Sequence, residues 1–313
     1  MFILRTSEYL PERVVDNQYF SQRLGKPTEW FFERTGIRQR RRAGPGENLH
    51  TMAFSAVRAI VNSGASLTGV DLVIGASYTP LDTIGTLAHV IQREYALVNA
   101  KALYLSTACS SFLDALEIAS LYLEAGKCKK ALIVAADHNS AYAHDEDISS
   151  GHLWGDGASA VLLAHEPANA QFEIQDVETQ GLGEVGQGPS AVMLTHPAGI
   201  TMPHGREVFM HACVNMAAAV RRLVLRNHLQ LADVALIVPH QANGRIISHV
   251  AKDLEVPIER FALTIEELGN TGCASVAISL HRQIARIQAG AYVVLVTFGG
   301  GYSVGAALLR RTI

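Results

Sequence analysis

The stretch Ala102-Leu-Tyr-Leu-Ser-Thr-Ala-Cys109-Ser-Ser-Phe-Leu-Asp-Ala-Leu-Glu-Ile-Ala119 reads as a buried strand that turns into a helix, with a cysteine at the turn. Ala102 to Leu105 is a short apolar run of the kind found in buried parallel strands. Leu113, Leu116 and Ala119 or Ser120 then recur at three- and four-residue steps, which is the helical period, and Ser110 and Ser111 are suited to satisfy free backbone N–H groups at the helix start. A thiol at a helix N-terminus feels the positive end of the macrodipole, so Cys109 is expected to ionise more readily than a free cysteine and to act as a nucleophile. The competing interpretation is a small hydrophobe packed in a core.

Working outward, the same order of elements occurs twice. Val70–Ser77, the Cys109 helix, Lys130–Asp137 and Gly157–Ala164 form one series; Val234–Pro239, Gly269–Leu280, Ala291–Val296 and Val304–Leu309 form the other. Asp71 to Cys109 is about 38 residues and Val234 to Asn270 about 36, while Cys109 to Ala131 is about 22 and Asn270 to Ala291 about 21. Apolar strands that alternate with helices call for sheets covered on both faces, so the expected fold is α/β, with two similar halves packed together. The boundary is placed at 166/167, giving halves of 1–166 and 167–313. The turn-rich segment Gly181 to Gly205 is expected to form loops that cap one face and line a substrate entrance.

Composition narrows the function. The chain has 313 residues, 49% hydrophobic and 18% charged, the balance of a protein with a large core. A net charge of −3 gives no electrostatic case for nucleic acid, and the one basic run, Arg38 to Arg42 interrupted by Gln39, is too short to change that. Four separated cysteines without a CxxC pair suggest neither a zinc site nor a disulfide framework. No signal-like N-terminus and no apolar run of about 18 residues is found, so a cytoplasmic protein without membrane partners is expected.

Three further segments carry chemistry. His240, in Val238-Pro-His-Gln-Ala-Asn243, follows a strand at its C-terminal end, where ligands bind in α/β sheets, and its imidazole can donate a hydrogen bond or exchange a proton near neutral pH. Asn270, in Leu268-Gly-Asn-Thr-Gly272, matches Cys109 in the duplication and can donate to a developing oxyanion; an Asn-Gly type turn is the plainer role. Phe298-Gly-Gly-Gly301 follows a strand and lets backbone N–H groups approach a reacting carbonyl. It is not a dinucleotide fingerprint, since the GxGxxG spacing fails, and no GxSxG elbow is present. His138, His144, Asp145, Glu146 and Asp147 lack ligand-like spacing and are expected to form a solvated loop rather than a metal site.

Together with Trp30-Phe-Phe-Glu-Arg-Thr-Gly-Ile-Arg38, Gly155-Asp-Gly157 and the segments above, the chain closely resembles the β-ketoacyl-[acyl-carrier-protein] synthase III family of thiolase-like enzymes, from Tyr9-Leu-Pro11 to the C-terminus. The resemblance implies a five-layer αβαβα homodimer, with no metal or cofactor beyond acyl-CoA or acyl-carrier-protein thioester substrates. It implies that Cys109 takes up an acyl group, with the N–H groups of Cys109 and Gly300 as oxyanion hole. His240 and Asn270 would then hold the enolate formed as malonyl-acyl carrier protein loses carbon dioxide. Trp30, Arg34, Gly205, Asn243 and Phe298 are implied as substrate or CoA contacts, Arg245 and Lys252 as carrier-protein docking residues, and Ile84 as a wall of the partner protomer's acyl pocket.

Departures from the family pattern are Ile148 where an adenine-clamping arginine is usual, Met210 and Asp253 where docking lysines are common, Ser111 for a glycine, and Gly272-Cys273 for Ser-Ala. They point towards a secondary-metabolism member with its own acyl donor. Two alternatives stay open: an acyltransferase that passes the Cys109-bound group to a non-malonyl nucleophile, and a non-catalytic subunit of a condensing heterodimer, against which the retained Cys, His and Asn argue.

Overall fold

Apolar runs that lack polar alternation become strands covered on both faces, and the chain contains two sets of them. The computed structural model describes residues 1–167 and 169–312. Its first half runs β1 (Phe2–Tyr9), β2 (Val14–Asp16), α1 (Asn17–Leu24), α2 (Thr28–Thr35), β3 (Gln39–Arg41), α3 (Leu49–Asn62), β4 (Leu72–Ala76), α4 (Leu87–Glu94), β5 (Lys101–Leu105), α5 (Ser111–Glu124), β6 (Lys130–Asp137) and β7 (Gly157–Ala164). The second runs β8 (Phe172–Gly181), β9 (Met193–Thr195), β10 (Gly199–Thr201), α6 (Gly205–Arg226), β11 (Val234–Pro239), α7 (Gly244–Leu254), α8 (Ile265–Leu268), α9 (Ser275–Gln283), β12 (Tyr292–Gly299) and β13 (Ser303–Arg311).

The duplication is plain in the pairing. One half orders its strands β1-β7-β6-β4-β5 and the other β8-β13-β12-β11. They join into one mixed sheet where Phe2 pairs Glu173 and Ile3 pairs Phe172. Where β5 lies beside β4, the second half has, among the described residues, only an isolated bridge from Ile237 to Phe261 beside β11.

Alternating side chains sort into layers. Leu72, Ile74, Ile133 and Leu163 of the first half and Val238, Leu295 and Leu309 of the second face a central core with Phe112, Leu116 and Ile278 of α5 and α9. Their sequence neighbours Val73, Leu132 and Leu162 turn outward to α3 and α4, and Ile237, Val294 and Leu308 turn outward to α6 and α7. The layers are therefore helix, sheet, helix, sheet, helix, as expected. Phe112, Leu113 and Leu116 of α5 are fully buried, each contributing about 1.5–3 kcal/mol of apolar burial. α6 is long and apolar enough to cross a membrane by composition, but it packs on β12 and β13.

Two local expectations fail. β5 is parallel to β4 but forms the sheet's edge, with its side chains half-buried or exposed rather than in a core. The segment 181–205 is not all loop, because β9 and β10 pair as a short hairpin.

Candidate active site

Cys109 stands two residues before α5, after Ala108 in the left-handed region at φ 52°. A non-glycine residue at such a φ is uncommon and needs surrounding support. Ser110 and Ser111 supply it, instead of capping the helix as expected. The Ser111 hydroxyl donates to Ala108 O at 2.6 Å and accepts from the Thr107 N–H at 2.9 Å, while the Ser110 hydroxyl donates to Ser303 O at 3.0 Å. The glycine turn after β12 closes on the same loop. A Cβ at Gly299 would come within 2.7 Å of Thr107 O and 3.0 Å of the Ser110 nitrogen, so only glycine permits this approach.

The thiol does not have the lowered pKa expected from the dipole. Burial, followed by the nearby Asp137 carboxylate, pushes it up to about 12; the backbone N–H groups of Gly300 and Cys109 and the Tyr78 hydroxyl pull the other way without prevailing. Desolvation of an anion outweighs a half-charge at a helix end. Asp137 is itself raised to about 6 by burial, although it accepts from the backbone N–H groups of Tyr78 and Cys273 and from the Ser77 and Thr79 hydroxyls.

His240 follows β11, with its N–H donated to Val296 O. Its ring is buried, and burial lowers its pKa to about 4, so it is neutral at physiological pH. Nδ1 lies 2.7 Å from Ser275 Oγ at the start of α9. Asn270 is oriented by the Gly272 N–H, which donates to Oδ1 at 3.0 Å and leaves Nδ2 as the free donor. Gly272, at φ 61°, needs its missing side chain: a Cβ would fall 2.1 Å from Asp137 Oδ2.

Cys109, His240, Asn270, Phe298 and Gly300 line one cavity of about 200 Å³, closed by Pro189, Val192, Met193, Leu194 and Ile200 from the 181–205 segment. A neighbouring cavity of about 310 Å³ is lined by Trp30, Arg34, Ile148, Gly205 and Asn243, and the two share Met202, Val208, Ala242 and Asn270. Trp30 reaches this mouth because the turn after α2 packs on the start of α7, where Asn243 Nδ2 donates to Arg34 O at 3.2 Å. The face of Trp30 is covered by the Arg34 guanidinium, 4.2 Å away.

The remaining sites predicted from sequence lie elsewhere. Ile84 is 87% exposed and lines neither cavity of its own chain. Arg245 and Lys252 are exposed on α7, and Asp253 beside them is bridged to Arg221 at 2.9 Å. In the 138–147 segment, Asp145 pairs with Arg42 at 2.7 Å and accepts from the Tyr19 hydroxyl at 2.5 Å. Sequence reasoning missed Tyr78, Trp154 and Ser275. Trp154 adjoins the Gly155-Asp-Gly157 motif and Ser275 opens the helix after Asn270, so both were within reach of segments already singled out; Tyr78 carried no signal.

Chemically, the cavity combines a nucleophile, backbone donors beside its sulfur, and two side-chain donors from the other half. A model described as 3-oxoacyl-[acyl-carrier-protein (ACP)] synthase III matches residues 104–183, and its C-terminal counterpart matches residues 224–311. The β-ketoacyl-[acyl-carrier-protein] synthase III of Rhodospirillum centenum is 35% identical over 319 residues, covering 98% of each chain, and that of Methylococcus capsulatus is 36% identical over 314 residues, again covering 98% of each. The crystal structure of 3-oxoacyl-[acyl-carrier-protein] synthase III from Aquifex aeolicus superposes with a TM-score of 0.92 at 32% identity over 99% of both chains. The priming β-ketosynthase of the R1128 polyketide pathway gives 0.90 at 29% identity, covering 99% of this chain and 96% of its own.

Proposed function

The chain belongs to the 3-oxoacyl-[acyl-carrier-protein] synthase III family, and from that premise we propose that it condenses a Cys109-bound acyl group with malonyl-acyl carrier protein, giving a 3-oxoacyl thioester and carbon dioxide. The observation that carries this is the convergence of Cys109, His240, Asn270 and Gly300 on one cavity.

In the first half-reaction Cys109 gives its proton to solvent, and the thiolate so formed attacks the acyl thioester carbonyl. The tetrahedral oxyanion accepts from the N–H groups of Cys109 and Gly300, and the carrier leaves as a thiolate that takes up a proton from solvent. Malonyl-acyl carrier protein then enters through the Trp30 and Arg34 mouth. Its carboxylate departs as carbon dioxide, and the enolate oxygen accepts hydrogen bonds from His240 Nε2 and Asn270 Nδ2. A neutral imidazole suffices for this, which fits a ring held neutral by burial. The enolate carbon attacks the Cys109 thioester, and the thiolate is released as the new carbon–carbon bond forms.

Gly205, Asn243 and Phe298 take their roles in this reading as walls of the substrate path, and Arg245 and Lys252 as cations for an acidic carrier protein. A homodimer is supported by β5, which among the described residues pairs only with β4, and by Leu81 and Ile84, exposed on the loop between β4 and α4. A second copy would cover both, and Ile84 would then wall the partner protomer's pocket. In this reading the halves 1–166 and 167–313 divide in sequence between β7 and β8, pair in the sheet through β1 and β8, and each contribute one side of the site.

The test is intact-mass spectrometry after incubation with acyl-CoA and acyl carrier protein donors. An acyl adduct absent from Cys109→Ala, followed by carbon dioxide release from malonyl-acyl carrier protein, is expected. An adduct without decarboxylation of any malonyl donor would instead favour transfer to another nucleophile.

A further inference from the structure

Asp137 touches no substrate in the chemistry described above, yet it is wholly buried and reaches both halves of the site. It ends β6 of the first half, and that half orients its carboxylate. Oδ1 accepts from the Ser77 hydroxyl at 2.9 Å, the Tyr78 N–H at 3.1 Å and the Thr79 hydroxyl at 3.0 Å. Oδ2 crosses to the second half and accepts from the Cys273 N–H at 2.7 Å. That N–H belongs to the single turn Gly272–Ala274, which leads straight into α9, and neither the turn nor α9 has a capping side chain of its own. A free N–H at a helix start needs an acceptor, and a carboxylate is the strongest one a side chain offers.

Both enolate donors hang on this segment. The Gly272 N–H orients the Asn270 amide at 3.0 Å, and Ser275, the first residue of α9, lies 2.7 Å from His240 Nδ1. We propose that Asp137 is a positioning residue for the decarboxylation step: by capping the 272–274 turn from the opposite half of the molecule, it fixes Asn270 Nδ2 and, through Ser275, His240 Nε2. The assignment rests on the condensation argued above. The backbone of Asn270 is anchored separately, its N–H donating to Leu153 O and its carbonyl accepting from the Gly155 N–H, both at 2.9 Å. Loss of the cap therefore turns the amide rather than unfolding the segment. The same carboxylate opposes the other half-reaction, because its charge faces Cys109. The other titratable groups around it are Tyr78, Tyr104 and Cys273, all uncharged at pH 7. Asp137 thus acts with opposite sign on the two steps, holding the enolate donors while restraining the thiolate.

The test is Asp137→Asn, with both half-reactions measured on one sample so that their ratio does not depend on the fraction folded. The new amide oxygen satisfies the donors at Oδ1, which leaves Nδ2 facing the Cys273 N–H, donor against donor. Carbon dioxide release from malonyl-acyl carrier protein on acylated enzyme is expected to fall by about 10- to 100-fold. Cys109 acylation at pH 7 is expected to rise about threefold, because more of the thiol ionises while the less basic thiolate is a weaker nucleophile. The pH profile of Cys109 alkylation by iodoacetamide, read by peptide mass, should move to lower pH, a change that a merely loosened fold does not produce. A ratio of decarboxylation to acylation within about threefold of the original, or an alkylation profile that stays in place, overturns the assignment. If Asp137→Asn yields no folded protein, Ser77→Ala, which removes one donor to Oδ1, is expected to lower the ratio about fivefold, and an unmoved ratio there overturns it. Absence of carbon dioxide from the unaltered enzyme overturns the condensation reading and this assignment with it, whereas release with an unmoved ratio overturns the assignment alone.

Discussion

Replacement of Ser275 by alanine is expected to separate the two half-reactions. Ser275 Oγ and His240 Nδ1 lie 2.7 Å apart, both in residues almost wholly buried. The Gln241 N–H also points at this oxygen, at 3.4 Å, which engages a lone pair and turns the hydroxyl proton towards Nδ1. Nδ1 then accepts and Nε2 keeps its proton, the tautomer that can donate to an enolate oxygen. Loss of one partner from a buried hydrogen bond costs about 1–3 kcal/mol. As a bias between tautomers that energy corresponds to about 5- to 150-fold. In Ser275→Ala, decarboxylation of malonyl-acyl carrier protein should fall by roughly 10- to 100-fold, whereas the rate of Cys109 acylation, which uses backbone donors, should fall by less than about threefold. Ser275→Thr retains a hydroxyl and should recover most of the decarboxylation. Carbon dioxide release and adduct formation are measured separately on each variant. An equal loss in both half-reactions, or a decarboxylation rate within about threefold of the original, would refute the role given to this hydrogen bond.

Other outcomes follow from the same geometry. With the thiol pushed up to about 12, the thiolate fraction grows tenfold per pH unit below that value, so the logarithm of the acylation rate should climb with unit slope between about pH 6 and 9. His240 gains a proton only as pH falls through about 4, so stopped-flow decarboxylation on pre-acylated enzyme should show no inflection near pH 6 to 7. Gly299→Ala brings a methyl group within 2.7 Å of Thr107 O and should part the Gly300 N–H from the Cys109 sulfur. The expected result is acylation slower by about 100-fold, the cost of one oxyanion donor, together with a lower unfolding midpoint in calorimetry, since overpacking buried backbone costs about 1–3 kcal/mol. Arg40 is fully buried and donates to Asn17 Oδ1 at 3.0 Å and to the carbonyl oxygens of Val15 and His152, so Arg40→Ala leaves buried neutral acceptors without a donor and should destabilise the fold by about 1–3 kcal/mol in denaturant titration. A loss below about 1 kcal/mol would mean that water replaces the guanidinium at little cost.

The parts of the site that were legible in the sequence are those set by short-range pattern. Leu113, Leu116 and Ala119 recur with the helical period whatever surrounds them, and all three are buried in α5. The duplication was readable because two halves of similar sheet and helix repeat the same runs at the same intervals, and it pointed to Asn270 as the counterpart of Cys109. His240 was found by its place after an apolar strand, since in parallel strands the C-terminal ends are where side chains converge.

Other features depended on what lies across the molecule. Ala102 to Leu105 has the composition of a core strand, yet β5 is an edge, because whether a strand has one neighbour or two is decided by the rest of the sheet. Ser110 and Ser111 look like caps, but Ser303 O and Thr107 N meet them first. The ionisation of Cys109 reversed for the same reason. A helix dipole is local and can be inferred from the helix, whereas desolvation and the charge of Asp137 sum over everything packed around the sulfur. Tyr78 and Ser275 emerged only when segments some 190 and 35 residues apart, those of Gly272 and His240, closed on them. Periodicity along the chain therefore determined the elements and their order, while exclusion of water and contact between distant segments decided the protonation states, the tautomer and the depth of the pocket.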